Sequence, residues 1–426
     1  MLELTRLRQD PQGVIEALAK RGLKAHTMVH DVLNLDEQRR KNQGDLDAAL
    51  ARSKAISKEI GSLFQQGKTD EAAALKEETA RLKSQSKELQ QEQEQLQQAL
   101  HNLLTQLPNV PHAAVPAGSS EADNEEVARW GAMPHLPEGA RPHWELAEAY
   151  GWIQFETGVK ITGAGFPVYR GYGARLQRAL INFFLDENRE AGYDEYIPPF
   201  LVNEASGFGT GQLPDKEGQM YHVGADGLYA IPTAEVPLTN MFRDEILAQK
   251  DLPLRCTAYT PCFRREAGSY GKDVRGLNRL HQFDKVEVIN IATPAQSEAL
   301  LQEMVDHVAG LLQKLNLPYR ILRLCGGDLG FTAGITYDFE VWSAAQERWL
   351  EVSSVSNFDT FQSNRLKLRY RDEERKTHLC HTLNGSALAL PRVMAALLEN
   401  GQNTEGVVLP EALHSYCGFG QIPFKK

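Results

Sequence analysis

Leu75, Leu82, Leu89, Leu96 and Leu103 stand seven residues apart, a spacing that an α-helix buries as one stripe against another helix. Upstream, Leu46, Ala49, Ser53, Ile56, Ile60 and Leu63 step by threes and fours, and Gln66-Gly67-Lys68 separates the two runs. The pattern predicts two long helices, the first starting near Asp36, joined by a glycine turn into an antiparallel hairpin. About 35 residues in the second helix give an arm roughly 50 Å long at 1.5 Å per residue. Thr79, Ser86 and Gln93 place polar groups in its seam, which predicts a weakly cohering arm. A short helix precedes it, with Asp10 as N-cap, Pro11 in the first turn and Gly22 closing it.

The middle of the arm carries Arg52, Lys54, Lys58, Lys68, Lys76, Arg81, Lys83 and Lys87 against five acids. Two readings fit this stretch: a solvated face laced with ion pairs, or a surface that contacts phosphates. The whole chain bears a formal charge of −10, which argues against indiscriminate gripping of nucleic acid, so any such contact must be local. With 426 residues, 42% hydrophobic and 24% charged, the composition is that of an ordinary globular protein of two or three domains. Cys256, Cys262, Cys325, Cys380 and Cys417 are scattered and odd in number, which speaks against a disulfide framework. His378, Cys380 and His381 lie close in sequence, but strand alternation would split them between faces, so no zinc is expected. The N-terminus has no apolar signal region and no run reaches the ~18 apolar residues of a membrane span; a cytoplasmic protein without membrane contact is expected.

From residue 108 to 142 the chain turns to Pro, Gly, Ala and Ser and reads as a linker. This divides the chain into a helical domain, 1–107, the linker, 108–142, and a larger domain, 143–426. In the last, strand-like segments succeed one another with helices inserted and no regular βαβ rhythm, which favours an antiparallel α+β sheet. No GxxxxGK[ST], GxGxxG or HExxH motif is present. What stands out is a loop between LRCTAYTPCF and HQFDKVEVINI that holds Arg264, Arg265, Lys272, Arg275 and Arg279 among glycines. Structureless loops beyond ~12–15 residues are uncommon unless functional, and this one is cationic, so an anion is its expected ligand.

Residues two apart on a strand share a face. Alternation therefore predicts that Arg264 and Glu266 project together with Arg265 turned away, that Thr233 pairs with Glu235, and that Phe283, Lys285 and Glu287 align. Near the C-terminus, TLNGSALALPRVMAALLENGQ predicts a strand, a turn and a helix that starts near Pro391-Arg392. An arginine at a helix N-terminus favours an anion twice over.

FRREAGSYGKDVRGLNRLHQFDKVE resembles the second signature motif of class II aminoacyl-tRNA synthetases, NGSALALPRVMAALLEN the third and GYDEYIPPFLVN the first. With PTAEVP and the coiled-coil hairpin, nearly the whole chain is similar to the bacterial seryl-tRNA synthetase family. The resemblance implies a homodimer with an antiparallel-sheet catalytic domain and an arm that recognises the shape of tRNA(Ser), with tRNA(Sec) as a second candidate. It implies activation of L-serine by ATP with Mg2+. By motif, Arg264, Glu266 and Arg392 are the implied catalytic residues. Arg264 would touch the α-phosphate and the serine carboxylate, Glu266 the adenine, and Arg279 the triphosphate. Phe283 and Arg392 would sandwich the base beside Leu280. Arg265 and the segment Glu351, Val352, Ser353, Ser354 complete the implied ATP set, with Glu351 and Ser354 on the metal. Thr233, Ala234 and Glu235 would take the serine ammonium, and Glu287 with Ser386 its hydroxyl. On this basis a Glu287→Ala change is expected to abolish serine activation and leave folding intact.

Three points depart from the expected pattern. Arg265 stands where relatives usually carry a small residue, and alternation predicts that it faces away from Arg264. Pro391 stands where many have glycine, which a first helical turn tolerates. Glu351 and Ser354 are three apart, so they share a face only if the strand is bulged. Competing readings are a non-catalytic tRNA-binding protein, disfavoured by the presence of Arg264, Glu266, Glu287 and Arg392, and a ligase loading a carrier protein, disfavoured by the arm. A purely structural coiled coil leaves the ordered motifs unexplained.

Overall fold

The computed structural model describes residues 1–215, 217–266 and 275–424. It divides into two compact units, one of residues 1–19 and 23–108, the other of residues 20–22 and 109–426. The tip of the cationic loop, residues 267–274 with Lys272, lies outside the described residues.

The first unit contains α1 (Leu4–Gln9), α2 (Pro11–Ala19), α3 (His26–Gln65) and α4 (Thr69–Leu104). Asp10 accepts from the backbone N–H of Gly13 at 2.9 Å to cap α2. Gly67, at φ 75°, turns the chain between α3 and α4. The polar seam residues are all satisfied. Thr79 and Ser86 donate to the carbonyls of Leu75 and Leu82, each at 2.8 Å, the back-bonding that hides a hydroxyl within its own helix. Gln93 instead bridges the two helices: its carbonyl accepts from Asn42 at 3.0 Å and its amide donates to Gln43 at 3.0 Å. The seam thus has a fixed polar register at its root.

Asp36 on α3 is fully buried. Arg8 of α1 grips it with two 2.7 Å bonds, and Arg39 and Arg40 add bonds at 3.0 and 3.1 Å. Burial pushes the carboxyl up, but the Arg8 and Arg39 guanidiniums outweigh it and hold it at about 2. A depressed carboxylate stabilises the fold above its unfolded pKa near 3.8, and that stability is lost as pH falls towards 2. Asp36→Asn is expected to cost about 2 kcal/mol at pH 7 and little at pH 2, read by chemical denaturation at both.

The second unit is built on one twisted sheet. In chain order its strands are β1 (Glu125–Trp130), β2 (Asp194–Glu195), β3 (Leu254–Phe263), β4 (Gln282–Ala292), β5 (Tyr319–Arg323), β6 (Ile335–Ser343), β7 (Arg348–Asn357) and β8 (His381–Ala389). They lie in the order β1-β5-β6-β7-β8-β4-β3-β2, antiparallel except for β2 against β3. The helices that matter for the site are α5 (His143–Tyr150), α6 (Tyr172–Glu190), α7 (Glu235–Asn240), α8 (Pro294–Lys314), α9 (Phe361–Leu366) and α10 (Leu390–Asn400). Phe183, Phe184, Met304, Val308, Phe339, Val355, Val393 and Leu397 belong to the core shared by α6, α8, α10 and the sheet. No described helix is long and apolar enough to cross a membrane.

Two expectations change. The 108–142 segment carries β1 on the sheet edge, and Asn109 at its start is buried and donates to the carbonyls of Thr332 and Phe358 at 3.0 and 2.9 Å. All six β1 residues are exposed, so no apolar alternation marks them as a strand. PTAEVP is not a strand either, because Glu235 opens α7.

Candidate active site

Strand β4 pairs without interruption to β3, so Phe283, Lys285 and Glu287 share one face as alternation predicts. Glu287 is fully buried. Lys285 pairs with it directly, and the Thr233 hydroxyl donates to it at 3.1 Å while accepting from Lys285 Nζ at 2.9 Å. Asn384 on β8 donates to its other oxygen at 2.9 Å. Ser386, also on β8, stands directly opposite Glu287 in the strand register, which puts both on one face.

Thr233 and Glu235 meet through a turn instead of a strand face: the Glu235 backbone N–H donates to the Thr233 hydroxyl at 3.3 Å. Ala234 between them is fully buried. The Glu235 carboxylate accepts from Gln362 on α9 at 2.6 Å, and Gln362 is fixed in turn by Thr382 at 2.7 Å. Burial first, and then the nearby Glu287 charge, push Glu235 up to about 7.

The cationic end of the site begins where β3 stops. Residues 264–266 have left the strand, and Glu266 sits at φ 49°, so strand alternation no longer governs them. Arg264 still faces the site, with its guanidinium 5.3 Å from the Phe283 ring and Nε 3.4 Å from the Pro232 carbonyl. Arg265 goes elsewhere: its backbone N–H bonds Gln219 at 2.8 Å and its guanidinium lies towards Gly218. Glu266 forms an ion pair with Arg279 across the loop, and Leu280 beside it is buried. Arg392, in the first turn of α10, donates to the carbonyls of Asn278 and Glu351, both at 2.8 Å.

Strand register brings Glu351 and Ser354 onto one face. Ser353 faces Phe339 and Glu351 faces Glu340, leaving Val352 as an extra residue in β7. This bulge resets the alternation, so Glu351 and Ser354, opposite Glu340 and Asp338, lie on the same face. Val352 is buried in the core, and the Ser353 hydroxyl is committed to the Ser386 carbonyl at 2.6 Å. Asp338 was not singled out from the sequence. It is bonded to Ser354 and has one buried oxygen without a partner among the described residues; burial, then the Glu351 charge, raises its pKa well above the ordinary range. No sequence motif assigns a role to Lys285, Asn384 or Gln362, which contact Thr233, Glu287 and Glu235. Only Lys285 had a sequence signal, its shared face with Glu287.

Such a site, with a cationic rim, two buried carboxylates and an antiparallel sheet beneath, defines a class II synthetase core, and residues 221–401 match the family model described as tRNA synthetase class II core domain (G, H, P, S and T). Residues 1–111 match the seryl-tRNA synthetase N-terminal domain. The chain is 52% identical to the serine–tRNA ligase of Salinibacter ruber, covering 99% of both chains, and 48% identical to that of Thermotoga neapolitana, covering 99% and 100%. The seryl-tRNA synthetase of Pyrococcus horikoshii, solved with ATP, superposes with a TM-score of 0.94 at 34% identity over the full length of both. The chain belongs to the seryl-tRNA synthetase family.

Proposed function

We propose that this enzyme activates L-serine with ATP and transfers the seryl group to the terminal ribose of tRNA(Ser), with tRNA(Sec) as a second acceptor. The observation that carries the reading is the state of Glu287. A carboxylate offers about four acceptor positions; Lys285, Thr233 and Asn384 use three. The remaining position suits one small donor, the hydroxyl of serine, with Ser386 alongside. Alanine would leave that acceptor position unfilled, and sites of this kind reject the analogue lacking the group by ~10⁴–10⁵.

In this reading Glu235, with Thr233 and Ala234, takes the serine ammonium. Arg264 draws the serine carboxylate onto the α-phosphorus. A carboxylate oxygen attacks phosphorus, pyrophosphate leaves, and seryl-adenylate forms; a ribose hydroxyl of the tRNA then attacks the seryl carbonyl and AMP departs. No protein nucleophile is required, so positioning and preorganised charge supply the rate. Phe283 and Arg392 bracket the adenine near Leu280, Glu266 reads its edge, and Arg279 holds the terminal phosphates. Arg265, turned towards Gly218, is at most a peripheral nucleotide contact.

Mg2+ fits the oxygen donors on the bulged face: Glu351 and Ser354 would hold it, and Asp338 has an unpartnered oxygen beside Ser354. Among the described residues no group of three or more His, Cys, Asp or Glu could hold a metal. Two protein ligands with the remaining oxygens from phosphates and water is the pattern Mg2+ favours. When bound, the ion neutralises charge on the phosphates. Homodimerisation through the first motif is part of the reading, supported by Ile197, 87% exposed, with Phe200 and Leu201 also exposed. So is a reducing, cytoplasmic setting, supported by five free, buried cysteines.

Binding of an ammonium requires Glu235 ionised. With its carboxyl raised to about 7, acidification from pH 8 to 6 is expected to raise the serine KM roughly tenfold, with the ATP KM following another course. Gln362→Leu removes a bond that lowers this pKa, so the break should move to higher pH. The proton uptake also means that, between pH 4.5 and 7, Glu235 makes the free protein less stable as pH rises. The proposal as a whole is tested by charging purified tRNAs: serine should load tRNA(Ser) and no tRNA of a non-serine, non-selenocysteine family. Charging of an unrelated tRNA with another amino acid would overturn it.

A further inference from the structure

Behind the implied nucleotide contacts lies a second buried polar cluster, none of whose members is itself an implied ligand contact. His143, the first residue of α5, and Glu399, on α10, are both fully buried. Glu399 Oε1 lies 2.6 Å from His143 Nδ1 and also accepts from the His143 backbone N–H at 3.0 Å. On the other side of the ring, Nε2 accepts from the backbone N–H of Leu277 at 2.8 Å. An acceptor at Nε2 puts the ring proton on Nδ1, so the imidazole is neutral and donates to Glu399. Leu277 lies on the descending limb of the cationic loop, two residues before Arg279.

The same carboxylate reaches that limb by another route. Gln346 donates to Glu399 at 3.0 Å, and its carbonyl accepts from the Asn278 side chain at 2.9 Å. Arg392, seven residues before Glu399 on the same helix, holds the Asn278 carbonyl. Two further contacts fit the limb to α5. A Cβ on Gly276, which has φ 66°, would fall 2.2 Å from His143 Nε2, so only glycine lets the backbone pass the ring. Arg275 stacks 4.9 Å over Trp144.

We infer that His143 and Glu399 are positioning residues for the nucleotide: a buried imidazole–carboxylate pair that fixes residues 277 and 278, and so Arg279 and Leu280, in register with Arg392. The inference rests on the reading above that these three hold ATP. Neither residue touches the reacting atoms. Their effect runs through one limb, because loss of the imidazole leaves the Leu277 N–H buried without an acceptor, and small displacements of binding groups are costly. The serine pocket is built on Thr233, Glu235 and Glu287, none of which bonds this cluster, so it should be spared.

Calorimetric ATP binding, and KM values for ATP and serine from pyrophosphate exchange, test this in the full-length protein. His143→Ala should weaken ATP about tenfold with the serine KM within twofold. His143→Gln, whose carbonyl can occupy the Nε2 position, should recover most of the loss. Gln346→Ala, at a half-buried turn, should weaken ATP about threefold. If His143→Ala does not fold, the other two variants decide. Unchanged ATP affinity in folded His143→Ala or Gln346→Ala, parallel weakening of serine and ATP, or His143→Gln matching a folded His143→Ala would each overturn the inference. A wild-type protein that binds ATP yet gives no serine-dependent exchange sinks the functional reading, while the ATP affinities still decide this one.

Discussion

Glu287→Ala is expected to lower serine-dependent pyrophosphate exchange by about 10³-fold. Loss of a buried bond to a charged acceptor accounts for ~1.5–3 kcal/mol of this. The remainder comes from Lys285, whose ammonium would then lie unneutralised in the pocket proposed for the serine ammonium. For the same reason the variant is expected to lose stability, whereas the sequence alone predicted intact folding. Breaking a buried pair by removing one partner typically costs ~3–5 kcal/mol, whereas replacing both by apolar groups is often neutral. The double variant Glu287→Ala/Lys285→Met should therefore regain stability in denaturant titrations and stay inactive. Near-normal exchange from either folded variant would remove Glu287 from the site.

Shortening the arm between Gln43 and Gln98 should leave adenylate formation within twofold and lower tRNA charging by at least ~10². The structure sorts the arm's cations. Arg52 is paired with Glu78 and Glu59, Lys68 with Glu71, and Lys76 stacks on Phe64. Lys54, Lys58, Arg81, Lys83 and Lys87 are exposed and form no ion pair among the described residues. These five are proposed to contact phosphate, and each alanine substitution at a true contact should reduce the salt dependence of tRNA binding by about one unit of slope. Arg52→Ala should do less. Equal charging by the full and shortened proteins would refute this role for the arm.

What could be read from the sequence follows from where simple periodicity holds. The heptad of Leu75 to Leu103 and the uninterrupted alternation of Phe283, Lys285 and Glu287 needed nothing beyond the chain. Where the backbone departs from a regular element, periodicity misplaced residues. Thr233 and Glu235 meet through the first turn of a helix, Arg264 and Glu266 have left their strand, and Glu351 joins Ser354 only because Val352 is bulged out. β1 has no periodic signature because both its faces are exposed. Gln362, Asn384, Asp338, His143 and Glu399 act through partners distant in sequence, and no local pattern marks such pairs.

The central claim is that one pocket, closed around Glu287, selects serine for activation. Pyrophosphate exchange with each of the twenty amino acids, in the presence of ATP and magnesium and without tRNA, tests it most directly. Serine alone should support exchange, with alanine reduced by ~10⁴ or more. Exchange driven equally by alanine, or by no amino acid in a folded protein, would contradict the account.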